Sequence, residues 1–259
     1  MTGSAHPPYE FAIVRILGND LYPRHGEGQT FTNLQFTLQH ETSFDRCKKL
    51  WLVNRIVDPE AEQRIIELLE QYDQTYIRIP FETEGYDLSW TSYQKTHYII
   101  KLNHARNLAI REGRKWAKWI FPFDSNIFVT DAGWKNIAFY LDNLNNKVYK
   151  VSMYRVRETN DEVWDFTPEN YDRQESQVVV RHDNFDVFDE SIAYANGNKE
   201  EFLLRFPKSP YLEYVIRLND QTHGYLNEQR NELRMRSIPI FVSLVDKQVM
   251  TLTATDNHQ

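Results

Sequence analysis

Two side chains that offer oxygen atoms stand two positions apart at the end of an apolar stretch, in KWIFPFDSNIF (residues 118–128). The run from Trp119 to Phe123 predicts a buried strand, and Asp124 and Asn126 follow it. Residues two apart in an extended chain point to the same side, so both oxygens are expected to face one ligand. Hard cations such as Mg²⁺ and Mn²⁺ choose oxygen ligands and stabilise charge on a leaving diphosphate. The alternative is an Asx-type turn that bonds to nearby backbone.

The elements that must position this motif alternate along the first half of the chain. Apolar runs predict strands at residues 11–17, 49–54, 75–81 and 118–123, and helical spacing predicts helices at 31–41, 58–72 and near 103–117. This rhythm predicts an α/β fold with a mostly parallel central sheet flanked by helices. Ligands of such sheets bind at the carboxyl ends of the strands, which places on one rim Asn19, Asp20, Asn54 and Asp124.

The second half of the chain is less regular. Long strands are predicted at 147–156 and 175–183, helices from about residue 199, and one final strand in the tail after residue 236. The polar segment 157–174, which contains Trp164, is a long connection and therefore a candidate substrate loop. No linker divides the chain, so we expect one domain over 9–250 with loose tails at 1–8 and 251–259.

Composition excludes several classes of protein. The net charge is −7 and no stretch is a run of Lys and Arg, which disfavours a nucleic-acid binder. The single cysteine, Cys47, excludes an intramolecular disulfide framework and is compatible with a reducing compartment. No apolar run approaches the roughly 20 residues that a membrane helix needs, and the first residues do not resemble a signal peptide. We expect a cytoplasmic protein without an integral membrane segment.

Two segments resemble GT-A-fold glycosyltransferases, especially the large family 2. The first, HARNLAIREGRKWAKWIFPFDSNIF, is similar to the family's A-R-N helix followed by a strand that ends in Asp-x-Asp; the matching residues are Ala105 to Ala109 and Asp124 to Asn126. The second, residues 178–206, is similar to its F-D-E region; the matching residues are Arg181, Phe188, Asp189, Glu190, Phe202 and Arg205. The resemblance covers about a quarter of the chain, and the motifs occur in the family's order.

The resemblance implies a donor site and a metal site on the rim. It places Arg106 near the nucleotide, at a helix start where an anion is also favoured. The nucleotide would also lie against residues that follow the first two strands and against the motif itself: Arg15, Asn19, Asn54, Asp58 and Asp124. Asp58 is equally suited to cap the helix that follows it. Mg²⁺ or Mn²⁺ would be held by Asp124, Asn126 and His223.

The catalytic residues are expected downstream of the F-D-E motif. The family's acidic pair, which supplies the base of inverting members, falls here on Asn198 and Lys199, with Glu200 directly after. A lysine does not replace a carboxylate base at ordinary pKa. The base is then expected at Glu200 or Glu201, or at another acid of this half of the chain: Asp183, Asp189, Glu190 or Asp165 in the loop with Trp164. A hypothesis for Lys199 is that its positive charge neutralises the leaving phosphate. It would then compensate for a metal that the neutral Asn126 binds less strongly than an aspartate.

The sequence therefore predicts a metal-assisted glycosyltransferase of polysaccharide biosynthesis. Its donor would be a nucleotide diphospho-sugar, UDP-linked in the first instance, and its acceptor a glycan or small molecule. One alternative is a nucleotidyltransferase, although the loop GNDLYPRHGEG lacks the G-x-G-T-R pattern usual in that class and also the spacing of a P-loop. The other is a non-catalytic binding protein of the same fold.

Overall fold

The computed structural model describes residues 7–21, 25–142, 146–156, 159–167, 173–192, 199, 202 and 238–243. In this part of the chain eight strands form one sheet: β1 (Tyr9–Leu17), β2 (Cys47–Asn54), β3 (Tyr76–Ile79), β4 (Ala117–Asp124), β5 (Ile127–Phe128), β6 (Val148–Arg155), β7 (Arg173–Arg181) and β8 (Ile238–Ser243). The helices are α1 (Gln29–His40), α2 (Pro59–Gln71), α3 (Ser92–Ile100), α4 (Leu102–Gly113), α5 (Asp131–Asp142) and a 3-10 turn at Asn160–Val163.

The first half of the sheet is parallel, in the order β3-β2-β1-β4. Helices connect these strands, and all four carboxyl ends meet at one rim. The connection from β1 leads to β2 on one side, while β4 pairs with β1 on the other, so the strand order reverses between β1 and β4. A crevice forms outside the carboxyl ends at such a switch point. Asp124 closes β4 opposite Ile16 of β1 and therefore lies at this crevice.

The second half of the sheet is mixed, in the order β7-β6-β8-β5 beyond β4. The pairs β4–β7, β6–β7 and β5–β8 are antiparallel, and β6–β8 is parallel. The predicted α/β class with a mostly parallel, Rossmann-like sheet and flanking helices is confirmed. Lys199 and Phe202 are helical, as expected for the segment that begins near residue 199, and β8 is the final strand expected in the tail.

Two helices were not predicted from the sequence, and both lie in connections between strands. Helix α3 follows the polar connection 85–90 and begins with a capping box between Thr91 and Gln94. Helix α5 begins at Asp131, directly after β5. By contrast, the cap predicted for α2 is confirmed, because the Asp58 side chain accepts a hydrogen bond from the backbone N–H of Glu60 and Pro59 is the first helical residue.

The period of two along each strand sends alternate side chains to opposite faces of the sheet. Residues of one parity pack under α4, together with Phe188 and Phe202, in a core that includes Val14, Ile16, Leu50, Leu52, Ala105, Ala109 and Ile120. Residues of the other parity pack against α1, α2 and α5 in cores that include Phe11, Ile13, Trp51, Val53, Phe121, Phe123 and Trp134. Helix α4 lies very close to β4, since a Cβ at Gly113 would come within 2.6 Å of Ile120.

None of the helices in the described ranges is long and apolar enough to cross a membrane.

Candidate functional site

The carboxylate of Asp124 is held between two cations. Its Oδ1 accepts a hydrogen bond of 3.1 Å from Nη2 of Arg106, and its Oδ2 accepts one of 2.7 Å from Nζ of Lys199. The Nε2 amide of Gln177 also donates to Oδ2, at 3.3 Å. Asp124 has the parity that faces α4, which is why the arginine of that helix reaches it. We call Asp124, Arg106, Lys199 and Gln177 the Asp124 cluster.

Asp124 is the part of this cluster that is open to the crevice. Its side chain is 30% exposed, whereas the side chains of Arg106 and Lys199 are 2% and 3% exposed. Although burial raises the pKa of this carboxyl, the charges and hydrogen bonds of Lys199 and Arg106 outweigh it and hold the pKa well below its usual range. A carboxylate has about four lone-pair sites, and three protein donors occupy three of them. One site on Oδ1 is therefore left for a ligand.

The two buried cations are themselves fixed from behind. Arg106 donates from Nη1 to Oδ1 of Asn103, 3.2 Å away, and its guanidinium lies 5.5 Å from the ring centre of Phe188. The ring of Phe188 stacks on that of Phe202 with centroids 4.2 Å apart, one turn after Lys199. These contacts hold both charges at Asp124 in a fixed geometry, which is the arrangement that electrostatic stabilisation requires.

The two motifs that the sequence analysis combined are in direct contact. The side-chain amide of Asn107, on α4, donates to the backbone oxygen of Phe188 at 2.9 Å and accepts from its N–H at 2.8 Å. Asn103 donates to the backbone oxygen of Asp189 at 2.7 Å. The A-R-N helix and the F-D-E segment are thus joined by side-chain to backbone bonds across more than 80 residues of sequence.

Of the predicted catalytic residues, Lys199 belongs to the Asp124 cluster. Asp189 is hydrogen-bonded to a neighbour in the sequence, Ser191. Oδ1 of Asp189 accepts from the backbone N–H and the hydroxyl of Ser191, at 2.9 and 2.6 Å, which forms a tight turn. Glu200 and the predicted metal ligand His223 lie outside the described residues. Asn126 stands in the two-residue turn between β4 and β5 and is partly exposed.

The neighbouring residue Glu190 points back to α4. Its Oε2 lies 2.9 Å from Nδ1 of His104, and its Oε1 accepts from Asn107 at 2.9 Å. Burial raises the pKa of Glu190. The hydrogen bonds from Asn107 and His104 and the charge of Lys101 lower this pKa by more than burial raises it, so the net shift is downward. Glu190 is therefore an ionised partner for His104.

A second group of polar atoms lies at the carboxyl end of β2. Asn54 is 2% exposed; its Nδ2 donates to the backbone oxygen of Ile100 at 2.8 Å, and its Oδ1 has no partner among the described residues. Arg55 is 5% exposed; its Nε donates to the oxygen of Tyr98 at 3.1 Å, and its Nη2 has no partner in the same part of the chain. Adjacent residues thus present one buried acceptor and one buried donor, each of which costs about 1–3 kcal/mol if left unsatisfied.

Arg55 is also unusual in its backbone. Its φ is 53°, in the left-handed region that non-glycine residues rarely adopt. The conformation is held by Asn19, whose Nδ2 donates to the oxygen of Arg55 at 2.8 Å and whose Oδ1 accepts from the N–H of Val57 at 2.8 Å. The guanidinium lies over the rings of Tyr98 and Phe81, at 4.5 and 5.6 Å. Asn19 thus acts through Arg55, by shaping the loop that carries it.

Two of the predicted donor-binding residues have structural contacts instead. Arg15 is fully buried on the face of the sheet opposite Asp124, paired with Glu41 and 5.2 Å from the ring centre of Trp51. Ile16 pairs with Asp124 and faces the same side of the sheet. The preceding residue, Arg15, therefore faces the opposite side. Asp58 uses its carboxylate to cap α2.

The residues around Asp124 do not fit a divalent cation in this arrangement. Two cations and an amide already occupy three of the four lone-pair sites of Asp124, and a further double positive charge there would be repelled by Arg106 and Lys199. Within the described residues no three His, Cys, Asp or Glu side chains come together as a metal-binding group. Arg106 and Lys199 bring positive charge to this crevice.

Sequence reasoning missed several residues of the site, which are Arg55, Asn103, His104 and Gln177. The polar dipeptide Asn54-Arg55 directly after an apolar strand was the available signal for Arg55. Gln177 is a polar residue inside the apolar run of β7 and is 0% exposed. A buried amide of this kind indicates a polar partner, which here is Asp124.

Comparisons with known proteins give distant structural similarity alone. No protein-family model matches the chain, and no curated protein sequence is significantly similar to it. One similar structure is 4-diphosphocytidyl-2C-methyl-D-erythritol synthase from Anaerococcus prevotii, with TM-score 0.40 and 12% identity over 96% of this chain and 98% of that one.

Two similar structures are sugar transferases. A mannosyltransferase from Pyrobaculum calidifontis, in complex with GDP-Man and Mn²⁺, has TM-score 0.39 and 11% identity; the match covers 78% of this chain and 53% of that one. Mouse xyloside xylosyltransferase 1 has TM-score 0.35 and 10% identity over 96% and 82%.

Proposed function

We propose that this protein transfers a sugar from a nucleotide diphospho-sugar to an acceptor hydroxyl, with side-chain cations in place of a metal at the diphosphate. The observation that carries the proposal is the Asp124 cluster at the switch point of the sheet. Two cations converge there on one carboxylate, at the place where an open α/β sheet binds ligands.

Arg106 and Lys199 bring two positive charges to the carboxylate of Asp124. Both cations are nearly inaccessible to water, so their field is screened less than that of surface charges. When the bond between sugar and phosphate breaks, its electron pair stays on the diphosphate. A fixed positive field at the crevice stabilises that charge without reorganisation, which lowers the barrier.

Asp124 itself contributes recognition. It is ionised across the physiological range, and its remaining lone-pair site on Oδ1 accepts one hydrogen bond. A hydroxyl of the ribose or of the donor sugar supplies that donor. The carboxylate thus orients the ligand, while the cations behind it keep the site attractive to phosphate.

The unsatisfied pair on β2 supports a nucleobase pocket. The edge of uracil, and likewise that of guanine, presents a donor next to an acceptor, which complements the Oδ1 of Asn54 and the Nη2 of Arg55. The rings of Phe81 and Tyr98 beside Arg55 offer apolar surface to the base. Binding would satisfy both polar atoms at once, and a base without this pattern would leave them unpaired.

The proposal is tested by thermal shift with UDP-, GDP- and CMP-sugars, each in EDTA and in Mn²⁺. We expect one diphospho-sugar to raise the melting temperature equally in both buffers, and Asp124→Asn to remove the effect. A shift that needs Mn²⁺ contradicts the metal-independent part and restores the metal predicted from the resemblance. Stabilisation by a nucleoside triphosphate with a sugar phosphate indicates nucleotidyl transfer. No shift with any ligand at millimolar concentration favours the non-catalytic binding protein.

A further inference from the structure

His104 and Glu190 form a hydrogen-bonded pair at the same rim as Asp124. Nδ1 of His104 lies 2.9 Å from Oε2 of Glu190, and the two side chains are 43% and 49% exposed. Helix α4 runs into β4, so its first turn, which carries His104, lies at the end of the sheet where β4 finishes. The pair is therefore exposed to solvent at the rim that also carries Asp124.

The pair is connected to the Asp124 cluster by consecutive hydrogen bonds. Asp124 accepts from Arg106, Arg106 donates to Asn103, and Asn103 donates to the backbone of Asp189, the residue before Glu190. Asn107 fixes the other oxygen of Glu190. Every link is a side chain of α4 or its direct partner, so the pair and the cluster are held on one rigid element.

We propose that His104 is the general base that deprotonates the acceptor hydroxyl, and that Glu190 is the positioning residue that selects its tautomer; this rests on the proposed sugar transfer. With the Nδ1 proton donated to Glu190, the lone pair of the imidazole is on Nε2. A carboxylate that orients a histidine in this way also stabilises the imidazolium formed during the reaction.

The step balances as a single displacement. The proton of the acceptor hydroxyl passes to Nε2 of His104, while the acceptor oxygen forms a bond to the anomeric carbon. The bond from that carbon to the phosphate oxygen breaks, and its electron pair stays on the nucleoside diphosphate beside Arg106 and Lys199. His104 then releases its proton to water through its exposed face. Because the acceptor attacks opposite the leaving group, the anomeric configuration inverts.

The nearby carboxylates are less suited to this role. Oδ1 of Asp189 accepts two hydrogen bonds from Ser191, which hold this carboxylate in a local turn. Both oxygens of Glu190 accept hydrogen bonds, from Asn107 and His104, and these bonds weaken it as a base. His104, on α4, contacts Glu190 through Nδ1 alone, so its Nε2 is the atom that we assign to the acceptor hydroxyl.

Chemical rescue separates a base from a structural residue. We expect His104→Ala to lower kcat by about 100-fold or more with the KM for the donor little changed, since general bases contribute about 10²–10⁴. Added imidazole should restore part of this kcat in His104→Ala. Glu190→Gln should lower kcat less, and imidazole should not rescue it. His97→Ala, on α3, is the matched control and should retain full activity.

A readout that does not depend on turnover tests the pair itself. Long-range ¹⁵N–¹H spectra should show His104 protonated on Nδ1 and bare on Nε2, with that preference lost in Glu190→Gln. The opposite tautomer overturns the proposal, and so does unchanged kcat in His104→Ala or a product of retained configuration. If the donor still binds in those cases, the proposed function stands. If no nucleotide sugar binds the parent protein, the function and the base role fall together.

Discussion

Lys199 and Asp124, 75 positions apart in the sequence, are joined by a hydrogen bond of 2.7 Å between Nζ and Oδ2. In the resemblance to GT-A glycosyltransferases, Lys199 falls where their pattern has an acidic residue, and here it reaches the aspartate of the strand-end motif. The pair couples the segment after β7 to the rim of the parallel sheet.

Removing the ammonium of Lys199 should destabilise the fold and abolish transfer. We expect Lys199→Met to lower the free energy of unfolding by about 1–3 kcal/mol, between the values for exposed and buried pairs, because Asp124 is partly exposed. Urea denaturation measures this change. Lys199→Glu should abolish sugar transfer. Activity that remained in this variant would contradict the proposal that the charge of Lys199 stabilises the leaving diphosphate.

Acid should weaken the fold through Asp124. Its pKa in the folded state lies below the unfolded value of about 3.9, so its stabilisation is fully present above pH 4. That contribution is lost as the pH falls through the folded pKa, since the unfolded chain binds the proton first. The free energy of unfolding should fall from pH 4 to pH 2, less steeply in Asp124→Asn. Equal slopes in both proteins would contradict this assignment.

Asp183 offers a comparison in the same experiment. Hydrogen bonds from Arg181, reinforced by Lys147, lower its pKa to about 2 despite partial burial. Its stabilisation is likewise present above pH 4 and lost towards pH 2. Because its side chain is 40% exposed, Asp183→Asn should change the slope less than Asp124→Asn does. A larger effect at Asp183 would mean that the Asp124 cluster is more open than its contacts indicate.

Replacing Arg55 by lysine should weaken nucleotide binding. The variant keeps a positive charge and removes Nη2, a donor that has no partner among the described residues. We expect the Kd of the preferred nucleoside diphosphate to rise about tenfold, which corresponds to about 1.4 kcal/mol. Isothermal titration calorimetry measures it. Arg64→Lys, on the exposed side of α2, is the control, and an equal loss there would show that the effect is not specific to the pocket.

Asn107 should prove important for stability. Asn107→Ala leaves the backbone N–H and oxygen of Phe188 without their partner, which costs about 2 kcal/mol. Chemical denaturation should show this loss, while Asn136→Ala on α5 should change stability by less than about 0.5 kcal/mol. If both variants unfold at the same denaturant concentration as the parent, the bond network between α4 and the F-D-E segment is not a source of stability.

Local patterns in the sequence predicted the strands and the rim. The apolar runs identified β1 to β4. Asn54 and Asp124 could be placed on the same rim because they end strands that were predicted to be parallel. The orientation of Arg15 could also have been predicted from the sequence. Successive residues of a strand face opposite sides of the sheet, and Arg15 is next to Ile16, which pairs with Asp124. Helix α3 was missed because Ile100 is its one buried residue, so it has little apolar spacing to detect. Helix α5 was missed although Trp134, Ile137 and Leu141 recur at helical spacing.

The partners of the site residues could not be predicted in the same way. The bonds from Lys199 and Gln177 to Asp124 depend on how the second half of the sheet docks beside β4. The pairing of His104 with Glu190 depends on the path of the chain after β7. Both are long-range contacts that no spacing rule along the sequence encodes.

The two bonds between Asn107 and Phe188 have a consequence for how this chain tolerates change in length. The side-chain amide of Asn107 offers one donor and one acceptor, as a peptide unit does. It therefore pairs with the backbone of one residue, Phe188, in the way that a neighbouring strand would. The alignment of Glu190 with His104 is therefore decided at Asn107 and not by the number of residues before it. Insertions among the exposed residues 185–187 should lengthen the loop and leave the rim intact.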